Sequence, residues 1–225
     1  MTQASESTKT PEATLRHSII ATAQDLNQRG FCPSKSGNVS ARWQDGFLIT
    51  PSGVQYDDLT PDDLVFITKD GKPAATTRAG LLPSSEWRFH QAIYQKHRDA
   101  QAIAHTHSPM ATALSCARKP IPAFHYMIAL AGGSDIRCAN YATFGTEELA
   151  QEMLKALEGR KAVLLANHGV VAYGKSLLGA ATLVIEVENL ARQYLALLSA
   201  GLEPVILDHD EMARVQKSFA GYGKA

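Results

Sequence analysis

The sequence carries no net charge: twenty-two Lys and Arg are matched by twenty-two Asp and Glu among 225 residues. No run of basic residues is longer than a pair such as Arg160-Lys161. The electrostatic footprint of a nucleic-acid binder or of a protein that docks on anionic membranes is therefore missing. Long apolar runs are missing too. Stretches such as residues 162–166 fall far short of the roughly 18 residues that span a bilayer, and the first ten residues are polar where a signal peptide would be apolar. A cytoplasmic protein is expected. Cysteine is scarce: Cys32, Cys116 and Cys138 are odd in number, far apart and in no C-x-x-C pair. That excludes a disulfide framework and a zinc knuckle, and the three read as reduced, mostly packed thiols. What is present, 45% apolar and 20% charged residues, is ordinary globular usage on a chain long enough for one hydrophobic core.

Residues 1–10 have nothing to bury and read as a mobile tail. From Thr10, with Pro11 at the first helical position, apolar residues recur at helical spacing (Leu15, Ile19, Ala23, Leu26) until Gly30 supplies a stop. Residues 31–70 read as loop and short strands, with β-prone runs at 47–50 and 64–68 and a reversal at Asp70-Gly71. Ser84 or Ser85 caps a helix to about His97, and a strand at 102–104 leads into His105-Thr106-His107. Ser108-Pro109 and Thr146 start two further helices, with Glu147 and Glu148 favourably placed near the positive end of the second. A strand at 162–166, a second through Tyr173 and a long helix from Ser176 to about Ala200 follow. With no repeat and no linker between about 11 and 200, one α/β or α+β domain over 11–225 is expected, a central sheet carrying helices on its faces.

His105 and His107 stand two apart on a strand end, so both imidazoles project from one face and can share an ion. On its own the pair also fits two polar residues at a sheet edge. His168 is in a turn after an apolar strand, beside Gly169, where a side chain is held at the rim of a sheet. Three histidines with an open fourth position are the ligand set of catalytic zinc. Glu86, at a helix start, is either a first-turn carboxylate favoured by the dipole or, beside such a site, a general acid and base. Glu86 and His90, one helical turn apart, form a competing but weaker metal pair. Three segments offer hydroxyls and freely approachable backbone N–H groups to an anion: Ser36-Gly37-Asn38, Thr50-Pro51-Ser52-Gly53 and Ser84-Ser85. Each alone reads as a plain turn; together at a helix N-terminus they make a phosphate pocket, to which Lys35 adds a point charge.

Six stretches carry a resemblance: Ser36-Gly37-Asn38-Val39-Ser40, Leu48-Ile49-Thr50-Pro51-Ser52-Gly53, residues 82–90 (LPSSEWRFH), 121–129 (IPAFHYMIA), 141–146 (YATFGT) and 164–169 (LLANHG). They follow in order within a resemblance that extends over about residues 15–222: the chain resembles class II aldolases of the aldolase/adducin superfamily, most of all those acting on L-fuculose 1-phosphate. The resemblance implies a three-layer α/β/α fold around a mainly antiparallel sheet, with the C-terminal tail, about 203–225, contributing to the active site. It implies one zinc ion per subunit on His105, His107 and His168, and proton transfer by Glu86. It implies a substrate phosphate held by Gly37, Asn38, Ser52, Gly53, Ser84 and Ser85, with Lys35 where the family has threonine. Tyr126, reaching in from the neighbouring subunit, and Tyr222 would act on the aldehyde oxygen, in a homotetramer with active sites between subunits. The implied reaction is reversible cleavage of a ketose 1-phosphate to dihydroxyacetone phosphate and a small aldehyde such as L-lactaldehyde, with neither nucleic acid nor membrane as partner. Within the same superfamily stand a pentulose-phosphate 4-epimerase, which resembles this chain except for Asp in place of Glu86, a sugar-phosphate dehydratase or decarboxylase, and adducin-head modules, which lack the three histidines.

Overall fold

Alternation along the strands divides their side chains between two faces, and helices cover both. The structure, a computed structural model, describes residues 11–74 and 80–221. The strands are β1 (Asn38–Trp43), β2 (Gly46–Ile49), β3 (Val65–Ile67), β4 (Ala102–Thr106), β5 (Cys138–Ala139), β6 (Ala162–Leu165) and β7 (Gly169–Gly174). They make one sheet in the order β3-β2-β1-β4-β7-β6-β5, antiparallel throughout except for the parallel pair β5 and β6. The helices are α1 (Glu12–Gln28), α2 (Trp87–Lys96), α3 (Pro109–Cys116), α4 (Glu147–Leu157), α5 (Leu177–Ser199) and α6 (His209–Gly221). On one face Val39, Ala41, Ala104, Leu164, Val170 and Ala172 pack with α1, α3 and α5; on the other Ile49, Ile103, Val163, Leu165 and Val171 pack with α2 and α4. The resulting three layers are those the resemblance implied. Small residues on β4 and β7 (Ala102, Ala104, Ala172) let α5 lie close to the sheet. No helix among the described residues is long and apolar enough to cross a membrane.

Several boundaries differ from the sequence reading, each for a local reason. Helix α1 begins at Glu12 with Pro11 at its cap position, and Thr10, like the rest of residues 1–10, lies outside the described residues. Helix α2 begins at Trp87, so neither Ser84 nor Ser85 caps it; Glu86 occupies the cap position without capping, its carboxylate turned elsewhere. Ser108 precedes α3 but makes no cap bond. The buried Glu188 of α5 does that work, accepting from Met110 N at 3.0 Å and Ala111 N at 2.9 Å. Thr146 and Ser176 do cap their helices, taking Leu149 N at 3.2 Å and Gly179 N at 3.0 Å. The segment read as a C-terminal tail contains α6, anchored by Met212. Of the thiols Cys32 is buried and Cys138 partly so, but Cys116 is exposed.

Central strand β4 organises one end of the sheet. It pairs with β1 on one side, where Asn38 is opposite His105, and with β7 on the other, where Val171 is opposite His105. His105 thus stands at the middle of the sheet, at the end toward which the first residues of β7 and the start of β1 also point.

Candidate functional site

Three imidazoles meet at that end of the sheet. The ligand atoms of His105, His107 and His168 all lie within 4.8 Å of one another, and the three rings stand nearly perpendicular, at 71°, 76° and 83°. Strand β4 supplies His105, and His107, the residue just past its end, keeps the strand's two-residue period. His168 comes from the β6–β7 turn, where Asn167 takes the left-handed conformation (φ 56°) and its amide oxygen accepts from Arg118 Nε at 3.1 Å. A glycine must follow: a Cβ on Gly169 would lie 2.4 Å from the Thr106 carbonyl oxygen and 3.0 Å from the His107 ring. His105 is fully buried, and its Nδ1 faces the Val170 carbonyl oxygen at 2.9 Å. A carbonyl only accepts, so Nδ1 carries a proton and Nε2 is the nitrogen left to face Glu86 or an ion. Burial and the neighbouring imidazoles pull His107 down to about 3, so it is neutral near pH 7.

Glu86 closes the cluster. Its Oε2 is 3.1 Å from His105 Nε2 and its Oε1 is 3.0 Å from His168 Nε2. Burial pushes this carboxyl up, but the charge and hydrogen bonding of His105 and His168 outweigh it and hold Glu86 well below the usual carboxylate range. Once the facing nitrogens give up their protons, three converging imidazoles beside one carboxylate, only 6% exposed, are a donor set suited to a divalent ion. Apart from its 3.0 Å contact with His168 Nε2, Glu86 Oε1 is a buried atom with no further partner, as an open coordination or reaction site leaves it. His90 does not join this group; it is fully buried one turn along α2 and bonds to Ser40 and Asn38 instead.

Above the cluster opens a cavity of about 310 Å³. All three anion-binding segments line it, and the hydrogen bonds that bring them together are explicit. Ser52 N bonds to Leu82 O at 2.9 Å and Ser84 N to Thr50 O at 3.1 Å, zipping the second segment to the third. Lys35 Nζ donates to Gly53 O at 3.1 Å, tying in the first. That first segment is pressed against the sheet: Tyr56 donates its hydroxyl toward Gly37 O at 2.7 Å, and a Cβ on Gly37 (φ +80°) would lie 2.6 Å from His105 O. Lys35, Gly37, Asn38, Ser52, Gly53, Ser84 and Ser85 are all part of the lining. Asn38 comes with a constraint. Its amide hydrogens are spent on Ser84 Oγ (2.9 Å) and Glu86 Oε2 (3.0 Å), so its side chain has none left for a phosphate while those bonds stand.

The tyrosines lie apart. Tyr126 is half exposed, stacked on His125 and facing Phe219 of α6, and is not in the lining of the cavity; Tyr222 lies outside the described residues. Asn167, Tyr141 and Phe144 also line the cavity and had no assigned role in the sequence reading. Tyr141 is 53% exposed and Phe144 65%, unusual for aromatics, and they add apolar surface to the lining of the cavity. Both lie in the 141–146 stretch that carries the resemblance, but as aromatics between the turn residues of a loop they pointed to no particular role.

A family model described as the class II aldolase and adducin N-terminal domain matches residues 17–195. The chain is 51% identical over 209 residues to a 5-methylthioribulose-1-phosphate/5-deoxyribulose-1-phosphate aldolase of Rhodospirillum rubrum, covering 93% of this chain and 92% of that protein. It is 46% identical to the L-fuculose phosphate aldolase of Escherichia coli K12, with 93% and 95% covered. Among solved structures, an L-fuculose 1-phosphate aldolase is similar with a TM-score of 0.87 and 40% identity, over 92% of this chain and 97% of that one.

Proposed function

Because the chain belongs to the class II aldolase and adducin family and is an aldolase, an aldehyde-lyase, we propose that its substrate is a ketose 1-phosphate of the L-fuculose 1-phosphate type. Cleavage between C3 and C4 gives dihydroxyacetone phosphate and a small aldehyde such as L-lactaldehyde. The observation that carries this reading is the cavity's layout. The hydroxyl- and glycine-bearing segments, Tyr141 and Phe144, and Glu86, His107 and His168 all line one cavity, with His105 grouped beside the other two histidines. His105, His107 and His168 would hold one zinc ion per subunit. Bound there, zinc supplies a Lewis acid that withdraws electron density from the ketose oxygens as the carbon–carbon bond breaks.

The chain's own residues do the rest. Ser52, Ser84, Ser85 and the backbone around Gly37 and Gly53 bind the phosphate, fixing C3 over Glu86. Asn38 contributes at the inner end of the same pocket. Glu86 Oε1, the oxygen that Asn38 does not hold, returns a proton to C3 in cleavage and removes it in synthesis. Tyr126 of an adjacent subunit and Tyr222 act on the aldehyde oxygen in a cytoplasmic homotetramer; the exposure of Tyr126 on the face shared with α6 agrees with a role outside its own cavity.

The deciding experiment is release of dihydroxyacetone phosphate from L-fuculose 1-phosphate, 5-deoxy-D-ribulose 1-phosphate and 5-methylthioribulose 1-phosphate, with zinc present. All three are expected to react, L-fuculose 1-phosphate with the highest kcat/KM. Apolar groups at the aldehyde end discriminate by only about 1–3 kcal/mol, so spreads of about 10–200-fold are expected. The 51% relative favours a second reading in which a ribulose 1-phosphate lacking its 5-hydroxyl is preferred, and a reversed order in the panel would establish it. Release of dihydroxyacetone phosphate from none of them would end the proposal, and interconversion of pentulose phosphates would point to the epimerase reaction.

Lys35 gives a second test. If its ammonium turns from Gly53 O to the phosphate, Lys35→Ala should lower kcat/KM about two- to fivefold at low salt, the size of an exposed ion pair, and less at high ionic strength. An unchanged kcat/KM at low salt puts this side chain outside the pocket.

A further inference from the structure

Behind Glu86 and Asn38 a buried chain continues through three polar groups, His90, Ser40 and Tyr94, to which no part in phosphate binding, metal binding or proton transfer has been given. Tyr94 OH is 2.8 Å from Ser40 Oγ, Ser40 Oγ is 2.7 Å from His90 Nδ1, and His90 Nε2 contacts Asn38 Oδ1. Asn38 Nδ2 then reaches Glu86 Oε2 at 3.0 Å. None of the five residues is more than 6% exposed. The segments that supply them are β1 and α2 with its cap position, so the chain crosses from the sheet to the helix and back.

The direction of every bond follows from one end. A carboxylate only accepts, so the amide group of Asn38 facing Glu86 is its NH₂, and Oδ1 faces His90. Oδ1 only accepts, so His90 Nε2 is the protonated nitrogen. In the neutral ring Nδ1 is then an acceptor, and Ser40 must donate to it; Ser40 oxygen in turn accepts from Tyr94. Burial pulls His90 down to about 3, in keeping with a neutral ring. The ring is also held in place, stacked on Phe89 at 4.8 Å and 18° and facing Phe47 at 6.4 Å and 16°. Reversal of any one bond would place two donors or two acceptors face to face in a site without solvent.

We propose that His90 is a positioning residue for the reaction: set in one tautomer by Ser40 and Tyr94, it locks the Asn38 amide so that Nδ2 holds Glu86 Oε2, leaving Oε1 as the one oxygen that handles the C3 proton. The inference rests on Glu86 being the base. It explains why a residue with the shape of a metal ligand is sealed one turn behind the metal cluster, and why Asn38 turns its amide inward although it lines the phosphate cavity. A buried histidine whose only task was to fill space would be served by an apolar side chain without the need to satisfy two ring nitrogens.

The test is exchange of solvent protons into dihydroxyacetone phosphate by the zinc-loaded enzyme, together with kcat and KM for cleavage. His90→Leu should lower exchange and kcat about 10- to 100-fold with KM and zinc content within about twofold of the parent. His90→Gln, whose amide can still donate to Asn38, should recover most of the loss. Ser40→Ala, a small change that keeps the ring but frees its tautomer, should cost about tenfold and serves where His90→Leu does not fold. In a Glu86→Gln background the His90→Leu change should have no further effect on kcat, because both act through one carboxylate. Parent-level exchange in His90→Leu overturns the inference, and where that variant does not fold, parent-level exchange in Ser40→Ala does so. So does a loss that falls on KM, or one that is repeated in full in the Glu86→Gln background. Parent-level exchange in Glu86→Gln itself would instead remove Glu86 as the base, a separate failure.

Discussion

Glu86→Gln is expected to lower both ketose 1-phosphate cleavage and proton exchange into dihydroxyacetone phosphate by about 10²–10⁴-fold, the usual share of a general acid and base, while zinc stays bound. The substitution keeps the side-chain volume. It also keeps an oxygen for Asn38 Nδ2, now 3.0 Å from Glu86 Oε2, and leaves His105, His107 and His168 untouched. What it removes is the ability to take and return a proton. Exchange is the more telling measurement because it needs the base but no aldehyde. Elemental analysis on the same sample separates loss of proton transfer from loss of the ion. Exchange near the parent rate with zinc retained would assign the base elsewhere, and Tyr126 and Tyr222 would be the next to replace.

Removing the metal should cost at least as much. Dialysis against a strong chelator, or His105→Ala, is expected to lower cleavage by about 10³-fold or more, since a Lewis acid at such a site contributes several kcal/mol. Added zinc should restore the dialysed protein but not the variant. Full activity in a sample shown to contain no metal would sink the zinc assignment. The stripped protein should also be acid-sensitive in a defined direction. His107 and His90 titrate near 3 in the fold but near 6.5 in the unfolded chain, so between those values the unfolded chain binds more protons. Their contribution is fully present above about 6.5 and is lost as pH falls toward 3. A Tm of the stripped protein that does not drop between pH 7 and pH 4 would mean that these rings are not neutral in the fold.

Much of this protein is written in short-range sequence. Strand period two puts His105 and His107 on one face, whatever the rest of the chain does. Caps at Thr146 and Ser176 start α4 and α5 where local hydrogen bonding says they should. Apolar periodicity marks the buried faces of α1 and α4, whose inward residues are Ile19, Ala23, Leu26 and Leu149, Met153, Leu157. Other features depend on partners far along the chain, and sequence alone could not place them. Local sequence leaves Glu86 open between a first-turn carboxylate and an acid and base, and the tertiary structure puts the histidines from the end of β4 and the β6–β7 turn around it. Ser108 reads as a cap until Glu188, from another helix, is found to satisfy those N–H groups. His90 reads as half of a metal pair until Ser40 and Asn38, some fifty residues earlier, claim both its nitrogens. Local propensity and side-chain period act over three or four residues and are legible in any window of sequence. The pairing of β1 with β4 and of Thr50 with Ser84 is a choice among long-range registers, made by the packing of both sheet faces at once. That choice brought the three histidines, the carboxylate and the anion-binding segments to one end of the sheet.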